Sequence, residues 1–456
     1  MDDTLKDLPK AVYSLSPLDI IASHLYISNC FFFENALRQN GAALEQRLFE
    51  GLRRALRQYP ILAGELRRSG LNALSIVVSP DKPNMPGWET VASDVTFRHL
   101  QETSFHYSQW PSELQVENPL LAVDARAPAK LICVRVCRFA DNGGIAVLVR
   151  IAHAAFDAKG VVAFISHWAL CCRELEHQTI ASLPKPAALL SRDVMYQQLP
   201  IGLRPSPLPW LLYPLCLLLS LFLDILAFFL KKNLTFGDSD SHLFAISRGK
   251  MDAVRSEAKR LGASISDNDL IVALFTMAYA QSASAGLGSG KVKAIVPCDF
   301  RHRLDIPEAY VGNCAVGLFV TVPIQHLLKP ISNESLVTVA MECRKTVDSA
   351  DRNTIEQLVK RAMQSIGLLG SKARVLYSLM VCQAFSNQSR LDFYSVDFGL
   401  GPPLLAVPVA YPRTLAVVVP TPPSSDGTYI WLSLQSEQMK RLLQNKDFRS
   451  FINIVY

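Results

Sequence analysis

Residues 130–176, KLICVRVCRFADNGGIAVLVRIAHAAFDAKGVVAFISHWALCCRELE, decide the expected architecture. Residues 130–139 alternate apolar and basic side chains and residues 145–152 are nearly all apolar, while the Asp-Asn-Gly-Gly between them has the composition of a tight turn. A helical apolar pattern then runs from about residue 160 to residue 176. The stretch therefore predicts a hairpin whose second strand leads into a helix, with His153 at the corner between them.

The composition of the whole chain limits the classes of protein to consider. Its 456 residues predict two domains or one large duplicated unit. Half of the residues are apolar and only 19% are charged, so we expect a large core and no extensive disorder. The net charge of +6 is spread along the chain without a run of five like charges, which disfavours a nucleic-acid partner.

Cysteine usage and the N-terminus bear on the compartment. The ten cysteines include no C-x-x-C pair and no Cys/His set at zinc spacing, so we expect reduced, mostly buried thiols and no metal site. The first ten residues, MDDTLKDLPK, are polar and acidic where a secretory signal is basic and then apolar. Both features favour a cytoplasmic protein.

Two halves of similar length flank a segment rich in proline and leucine at about 178–240. We expect an N-terminal domain over 1–200, a linker over 201–240 and a C-terminal domain over 241–456, both domains being mixed α/β. Outside 130–176, the patterns predict helices at 43–58, 249–261, 267–281 and 436–445 and strands at 293–300, 315–324, 414–420 and 428–434.

His153 and Asp157 stand four residues apart at the predicted corner, where side chains commonly point into a cleft. A neutral imidazole, with an ordinary pKa of about 6.5, can accept the proton of an attacking hydroxyl, so one hypothesis is general-base catalysis. Asp157 would then either orient the ring or hold the loop through a basic partner elsewhere. The alternative is a histidine that only fills a hydrogen-bonding position beneath the helix.

Other chemistries are disfavoured at this corner. No H-x-H, H-E-x-x-H or second His/Asp pair accompanies the motif, so we expect no metal. No G-x-S-x-G elbow occurs in the chain, which argues against a serine nucleophile.

Further short fragments occur in order along the chain. They are LSPLD (15–19), YPILAGELR (59–67), HAAFD (153–157), VPCDFRHRL (296–304), YVGN (310–313) and DFGLG (397–401). With these fragments the chain resembles the BAHD superfamily of acyl-CoA-dependent acyltransferases, in particular the fungal members that acylate secondary-metabolite alcohols. The resemblance spans nearly the whole chain.

The resemblance implies an α/β fold of two chloramphenicol-acetyltransferase-like domains, with mixed sheets flanked by helices and a channel at their interface. It implies an enzyme that acylates, and most simply acetylates, a hydroxyl of a hydrophobic secondary metabolite such as a terpenoid or polyketide. Acyl-CoA, expected to be acetyl-CoA, would be the co-substrate and no cofactor would be bound permanently. His153 would be the general base of a direct transfer in a monomer.

The resemblance also assigns roles to the other motif residues. Asp157 would be structural and pair with Arg301 or Arg303, and Asn313 would lie near the channel. The remaining motif residues would support the architecture away from the reacting atoms; they are Asp397, Gly399 and Gly401. The residues that hold CoA stay unassigned.

The chain departs from the family pattern at two positions. The glycine that usually follows the aspartate of the histidine motif is Ala158 here, and the next glycine is Gly160. The tryptophan of the usual D-F-G-W-G is Leu400, which gives up a large aromatic packing surface. We expect neither change to abolish activity.

Residues 208–230, LPWLLYPLCLLLSLFLDILAFFL, contain a single charge, Asp224. One helix of this length would be about 34 Å long, enough to cross the core of a bilayer. A span would place the two halves on opposite sides of a membrane and separate the channel. Pro209 and Pro214 could instead break the segment into a hairpin on the membrane surface, and a third possibility is a buried crossover helix.

Two further functions stay open. Condensation-type domains of the same superfold generally have a second histidine immediately before the motif, where this chain has Ala152, so that alternative is disfavoured. The second open function is that of a catalytically silent binding protein or membrane-associated scaffold that retains the fold.

Overall fold

The computed structural model describes most of the chain as a mixed α/β structure. The described residues are 8–70, 72–115, 128–177, 188–198, 218–219, 222, 225, 239–283, 290–369, 383–409, 414–423 and 425–455. Their strands form three sheets, flanked by helices. The α/β prediction, with mixed sheets flanked by helices, is confirmed.

The strands are numbered in chain order. They are β1 Ala11–Ser14, β2 Tyr26–Glu34, β3 Glu65–Arg68, β4 Leu74–Val78, β5 Gly87–Ala92, β6 Ile132–Arg138, β7 Gly144–Ala152, β8 Ser239–Ile246, β9 Lys291–Asp299, β10 Ala315–Pro323, β11 Gln383–Asn387, β12 Leu405–Pro408, β13 Leu415–Val419, β14 Thr428–Gln435 and β15 Asn453–Ile454.

The α-helices are numbered in the same way. They are α1 Pro17–Ile21, α2 Gly41–Gln58, α3 Phe97–Glu102, α4 Ala158–His177, α5 Asp193–Gln198, α6 Arg248–Arg260, α7 Asp267–Ser282, α8 Ile324–Leu327, α9 Asn333–Asp348, α10 Arg352–Leu369, α11 Ser436–Gln444 and α12 Lys446–Phe451.

The first half is built on a five-stranded sheet with the strand order β12-β2-β7-β6-β5. The predicted hairpin is its β6–β7 pair, and Asp141 accepts a hydrogen bond from the Gly143 amide (3.1 Å) inside the turn. Helices α2 and α4 cover one face of the sheet, and the indole of Trp168 on α4 donates to the Leu48 carbonyl on α2 (2.8 Å). Because the face is buried under two helices, every second residue of β7 enters one core.

The second half is built on a seven-stranded sheet with the order β10-β9-β11-β13-β14-β8-β15. Helix α7 is buried along almost its whole length, and Ser266 caps it in a capping box with Asp269. The Asp269 carboxylate is fully buried and pairs with Arg344 of α9 (2.9 Å). This pair fixes two helices of the second core to each other.

The two large sheets face each other through a third apolar cluster. Cys30, Phe32 and Leu148 of the five-stranded sheet belong to the same cluster as Leu243 and Trp431 of the seven-stranded sheet. These residues lie on the face of β2 and β7 opposite to the helices, since strand neighbours alternate between faces. The halves are therefore joined by a buried apolar interface.

Two elements from the second half of the chain lie in the unit built on the five-stranded sheet. Strand β12 pairs antiparallel with β2 and so completes the sheet of the first half. Helix α10 also packs into the first-half core, where Val359 and Met363 are fully buried. The second half of the chain thus contributes a strand and a helix to the first unit.

The predicted elements agree closely with the observed ones where both exist. The helix predicted at 43–58 is α2, those at 249–261 and 267–281 are α6 and α7, and each of the four predicted strands of the second half is present within two residues. The sequence patterns assign no bounds to the remaining elements, among them the strands of the sheet β1-β4-β3 and the helices α9 and α10.

The apolar segment 208–230 lies outside the described residues except at four positions. Leu218, Leu219, Phe222 and Ile225 are helical, and between 39% and 65% of each residue is exposed. Among the described residues, no helix has the length and apolar character needed to span a membrane.

Gly160, near the start of α4, touches the backbone of the second half. A Cβ atom at this position would lie 2.4 Å from the carbonyl oxygen of Val311 and 3.1 Å from the Cβ of Phe156. Such a contact with backbone is far inside van der Waals distance, so one of the two segments would have to move. Glycine is required at this position because two segments of the backbone approach each other closely, and not because of an unusual backbone angle.

We expect Gly160→Ala to lower the free energy of unfolding by about 1–3 kcal/mol, because the new methyl group overpacks the contact with Val311. Gly249→Ala on α6 is the matched control, since a Cβ there has no neighbour within 4 Å. That substitution should be neutral or stabilise by up to about 1 kcal/mol. Urea titrations of both variants measure the difference, and equal effects would contradict the packing argument.

Candidate active site

The predicted corner is where the structure places it. Strand β7 ends at Ala152, the amide of His153 donates to the Leu25 carbonyl (2.8 Å), and α4 begins at Ala158. The carboxylate of Asp157 accepts a hydrogen bond from the Gly160 amide (2.9 Å), and so satisfies one of the free N–H groups of the first helical turn. The loop from His153 to Asp157 therefore has defined hydrogen bonds at both ends.

Asp157 forms an ion pair with Arg301. The Nη2 atom of Arg301 lies 2.6 Å from Oδ2 of Asp157, and only 1% of the arginine side chain and 13% of the aspartate side chain are exposed. The same guanidinium donates to the carbonyls of Tyr310 and Gly312 and to Asp299. Burial raises the pKa of the Asp157 carboxyl and the adjacent Arg301 opposes that rise.

Of the two arginines considered from the sequence, Arg303 does not contact Asp157. Its guanidinium donates to the backbone carbonyls of Ala350 and Asp299, both at 3.3 Å. Arg301 and Arg303 are two positions apart just after the end of β9, where the chain turns. The sequence could not choose between them because the direction of each side chain is set by that turn.

Asn313 contacts the backbone of the histidine itself. Its Nδ2 atom donates to the carbonyl of His153 and to Oδ1 of Asp19, both at 2.8 Å, and its own amide donates to the same Asp19 oxygen (3.0 Å). The residue is 7% exposed. It therefore connects the second half of the chain to the histidine and to α1.

Asp19 and Arg192 form a second buried ion pair, which the sequence did not reveal. The guanidinium of Arg192 lies 3.0 Å from Oδ2 of Asp19, and the two side chains are 2% and 0% exposed. Arg192 also donates to the carbonyls of Ala154 (3.2 Å) and Ala155 (2.7 Å). Burial raises the pKa of Asp19, but Arg192 and Asn313 outweigh this and hold it below its usual value.

One part of this second pair had a signal in the sequence. Ser16 and Asp19 have the spacing of a capping box at the start of α1, and the structure contains that box. The partner Arg192 lies 173 residues later in the chain, in a proline-rich stretch without a motif, so only the folded structure brings them together.

The imidazole of His153 is partly exposed, while its Nδ1 atom is buried and has no hydrogen-bond partner within the described part of the chain. Burial lowers the pKa of His153 from its ordinary value, and the carboxylates of Asp157 and Asp19 oppose the shift. A ring with a lowered pKa is neutral at pH 7, the form that can accept a proton. This arrangement suits a general base at the junction of the two halves.

The DFGLG motif lies at the far end of α4. Oδ1 of Asp397 accepts hydrogen bonds from the amides of Gly399 (2.8 Å), Leu400 (3.0 Å) and Gly401 (2.8 Å), and the Asp397 carbonyl accepts from Arg173 (3.0 Å). Arg173 is fifteen residues beyond the start of α4, about 22 Å along the helix. The motif is therefore distant from His153 and builds a turn.

Two features of that turn explain the residue types. Gly399 and Gly401 have φ angles of +89° and +84°, a region that favours glycine. Phe398 is fully buried and its ring packs against Trp168 of α4 with centroids 4.7 Å apart. Leu400, where the family pattern has tryptophan, is partly buried at the edge of the first-half core.

Comparison with known proteins gives the family. The profile of the Transferase family matches residues 5–199 and 271–449, which together are most of the chain. The chain belongs to the BAHD acyltransferases. This acyltransferase is 22% identical to the O-acetyltransferase dmxR13 of Cryptosporiopsis sp. (strain 8999), with 95% of this chain and 96% of that protein covered. It is also 22% identical to vinorine synthase of Rauvolfia serpentina, with 94% and 91% covered.

Solved structures share the fold. TRI101 of F. sporotrichioides, complexed with coenzyme A and T-2, superposes with a TM-score of 0.74 at 14% identity, over 98% of this chain and 100% of that one. Vinorine synthase superposes with a TM-score of 0.66 at 20% identity, over 98% of this chain and 94% of that one. These likenesses concern the fold, whereas the family match makes this BAHD chain an acyl-CoA-dependent acyltransferase.

We expect Arg301→Gln to lower the free energy of unfolding by about 3–5 kcal/mol, because it leaves the buried Asp157 carboxylate without its cation. Arg303→Gln is the matched control, and it removes only two long hydrogen bonds to carbonyls, so it should cost about 1 kcal/mol or less. Chemical denaturation of the two variants tests this. An equal loss in both would mean that the Asp157 pair is not the stabilising contact.

Proposed function

We propose that this protein transfers an acyl group, most simply acetyl, from acyl-CoA to a hydroxyl of a hydrophobic secondary metabolite such as a terpenoid or polyketide, with His153 as general base. The observation that carries the proposal is the partly exposed imidazole of His153, whose pKa is lowered by burial and whose loop is held by residues of both halves. The similarity to an O-acetyltransferase, and to the fold of TRI101 complexed with coenzyme A and T-2, supports acetyl transfer to an alcohol.

The proposed reaction is a direct transfer. The neutral ring of His153 accepts the proton of the acceptor hydroxyl while the oxygen attacks the thioester carbonyl. The C–O bond forms and the carbonyl becomes a tetrahedral oxyanion. When this intermediate collapses, the C–S bond breaks, the ester is released, and the thiolate of CoA takes the proton from the imidazolium. No covalent acyl-enzyme is required.

Asp157 acts in this proposal as a positioning residue. Its carboxylate is occupied by Arg301 and by the Gly160 amide, so it holds the loop and the start of α4. Asn313 and Arg192 hold the carbonyls of the loop in the same way. The DFGLG motif supports the fold about 20 Å from the histidine loop, at the other end of α4. Its residues with this role are Asp397, Gly399 and Gly401.

We expect kcat/KM to be independent of pH around pH 7 and to fall when the pH drops below 6.5. Burial lowers the pKa of His153 from 6.5, and only the neutral ring accepts a proton. His153→Ala should reduce kcat by about 10²–10⁴-fold and remove this acid limb. Release of CoA from acetyl-CoA in the presence of a panel of hydrophobic alcohols is the assay.

His167→Ala is the matched control for that experiment. His167 also has a pKa lowered by burial, but it lies on α4 against the ring of Tyr59. It should retain both the rate and the acid limb. Wild-type activity in the His153→Ala variant would rule out His153 as the general base. If the wild-type protein consumes no acetyl-CoA with any alcohol of the panel, the result would favour the catalytically silent scaffold instead.

We also propose that residues 208–230 contact a membrane surface. Four described residues of this segment are helical and expose apolar side chains; three of them, Leu218, Phe222 and Ile225, have the spacing of one helix face. An apolar helix face flanked by Lys231 and Lys232 is typical of segments that lie in the interface of a bilayer. Such contact would bring the enzyme to acceptors that dissolve in lipid.

We expect the full-length protein to float with phosphatidylcholine vesicles in a density gradient, and the double variant Leu218→Glu with Phe222→Glu to remain at the bottom. The charged side chains would oppose insertion of the apolar face. Leu37→Glu is the control, since Leu37 is 82% exposed in the first half and should not affect flotation. A wild-type protein that does not float contradicts the proposal.

A further inference from the structure

The carboxylate of Asp19 is the point at which three distant parts of the chain meet. Its Oδ2 atom accepts hydrogen bonds from the amide and the hydroxyl of Ser16 (2.8 and 2.7 Å) and from Nε of Arg192 (3.0 Å). Its Oδ1 atom accepts from Nη2 of Arg192 (3.3 Å) and from the amide and Nδ2 of Asn313 (3.0 and 2.8 Å). Because the side chain is fully buried, these donors take the place of water around the charge.

Both distant partners of Asp19 also bind the histidine loop. Nδ2 of Asn313 donates to the carbonyl of His153 (2.8 Å) with its second hydrogen, and Arg192 donates to the next two carbonyls of the loop (3.2 and 2.7 Å). Asp19 therefore fixes the two donors that fix three successive carbonyls at the imidazole. One residue, Asn313, separates Asp19 from His153 in this set of contacts.

The charge of Asp19 also acts on the ring. Burial lowers the pKa of His153, and the negative charges of Asp157 and Asp19 oppose that shift. Removing the charge of Asp19 would leave the buried guanidinium of Arg192 without its carboxylate and make the surroundings of the ring more positive. A more positive environment disfavours the imidazolium, so the pKa of His153 would fall further.

The other charged side chains around the loop are paired with one another. They form the ion pairs Asp157–Arg301, Asp299–Arg301 and Lys159–Glu308. Tyrosines and a thiol near the Asp19–Arg192 pair keep their protons at pH 7, because burial raises their pKa values; they are Tyr13, Tyr196, Tyr310 and Cys314. A change of charge at Asp19 is therefore not masked by the titration of these neighbours near neutral pH.

We propose that Asp19 is a positioning residue for the acyl transfer: it holds the donors that fix the histidine loop, and its negative charge sets the pH range in which His153 can accept a proton. The proposal rests on the proposed function of His153. Asp19 acts through Asn313 and Arg192 and touches neither substrate.

The first test is the pH profile of Asp19→Asn, with acetyl-CoA and an alcohol that the wild type acetylates. We expect the acid limb of kcat/KM to move to a lower pH, because the variant lacks the charge that favours the imidazolium. We also expect kcat to fall by about 10–100-fold with the KM for acetyl-CoA unchanged. Whichever oxygen the amide nitrogen replaces, it meets a donor of Arg192 and disturbs the loop.

Asp269→Asn is the matched control. Asp269 is fully buried, accepts the same two hydrogen bonds from Ser266 in a capping box, and pairs with Arg344 (2.9 Å). Among the described residues it has no contact with the histidine loop, so its loss should destabilise the fold but leave the acid limb in place. An unmoved limb in Asp19→Asn, or the same movement in Asp269→Asn, would overturn the proposal.

Arg192→Lys separates charge from position and stays informative if Asp19→Asn fails to fold. Lysine keeps the positive charge beside Asp19, but one ammonium group cannot replace the guanidinium fork that binds Asp19 and two loop carbonyls. We expect a lower kcat with the acid limb at its wild-type pH. A wild-type kcat would reject the positioning role, and a displaced limb would reject the role of the charge.

A titration without substrate distinguishes this proposal from the reaction itself. In protein labelled with ¹³C-histidine, the signal that is absent from His153→Ala reports the ring of His153, and its titration should move to a lower pH in Asp19→Asn. That movement in a protein without acyl transfer would retain the coupling to Asp19 and reject the proposed function. Acyl transfer with an unmoved titration would reject the coupling alone.

Discussion

Three consecutive carbonyl oxygens in the histidine loop have to find hydrogen-bond donors away from water, and this requirement links distant parts of the chain. The carbonyl of His153 receives Asn313, and those of Ala154 and Ala155 receive Arg192. An unsatisfied buried carbonyl costs about 1–3 kcal/mol, so each donor is needed where it is. The loop is therefore held by side chains that are 37 or more residues away in sequence.

These donors are held in turn by buried carboxylates, as is the arginine that binds Asp157. Arg192 and Asn313 both converge on the carboxylate of Asp19, and Arg301 lies between Asp157 and Asp299. Buried ion pairs contribute little net stability compared with apolar packing, but removing one member is costly. Their effect is to select one conformation of the loop. The motif residues therefore form one network, in which each contact depends on the others to hold the histidine loop.

How far the sequence predicts the structure depends on the range of the interaction. The hairpin β6–β7, helix α4 and the corner at His153 follow from local patterns and turn residues, and the structure contains them. Only the family resemblance indicates a basic partner for Asp157, and it leaves Arg301 and Arg303 as the two candidates. The Asp19–Arg192 pair had no such guide, because nothing in a single sequence reports a contact between residues 173 positions apart.

The same limit explains the division of the chain into units. Strand β12 reads like any short apolar strand of the second half, yet it pairs with β2 of the first. Helix α7 has apolar residues around its whole circumference, so its pattern identifies it as buried without saying against what. Local patterns predict individual helices and strands. Which strands pair, and which surface a helix packs against, depends on complementary surfaces that only the folded chain brings together.

The two arginines also pair with the acidic groups that lie near the histidine. His153 lies near two carboxylates, and uncompensated negative charges at that distance would raise its pKa and favour the protonated ring. Arg192 and Arg301 pair with those carboxylates, and burial outweighs their effect, so the pKa of His153 is lowered. The ion pairs therefore allow one buried cluster to fix the position of the imidazole and keep it able to accept a proton.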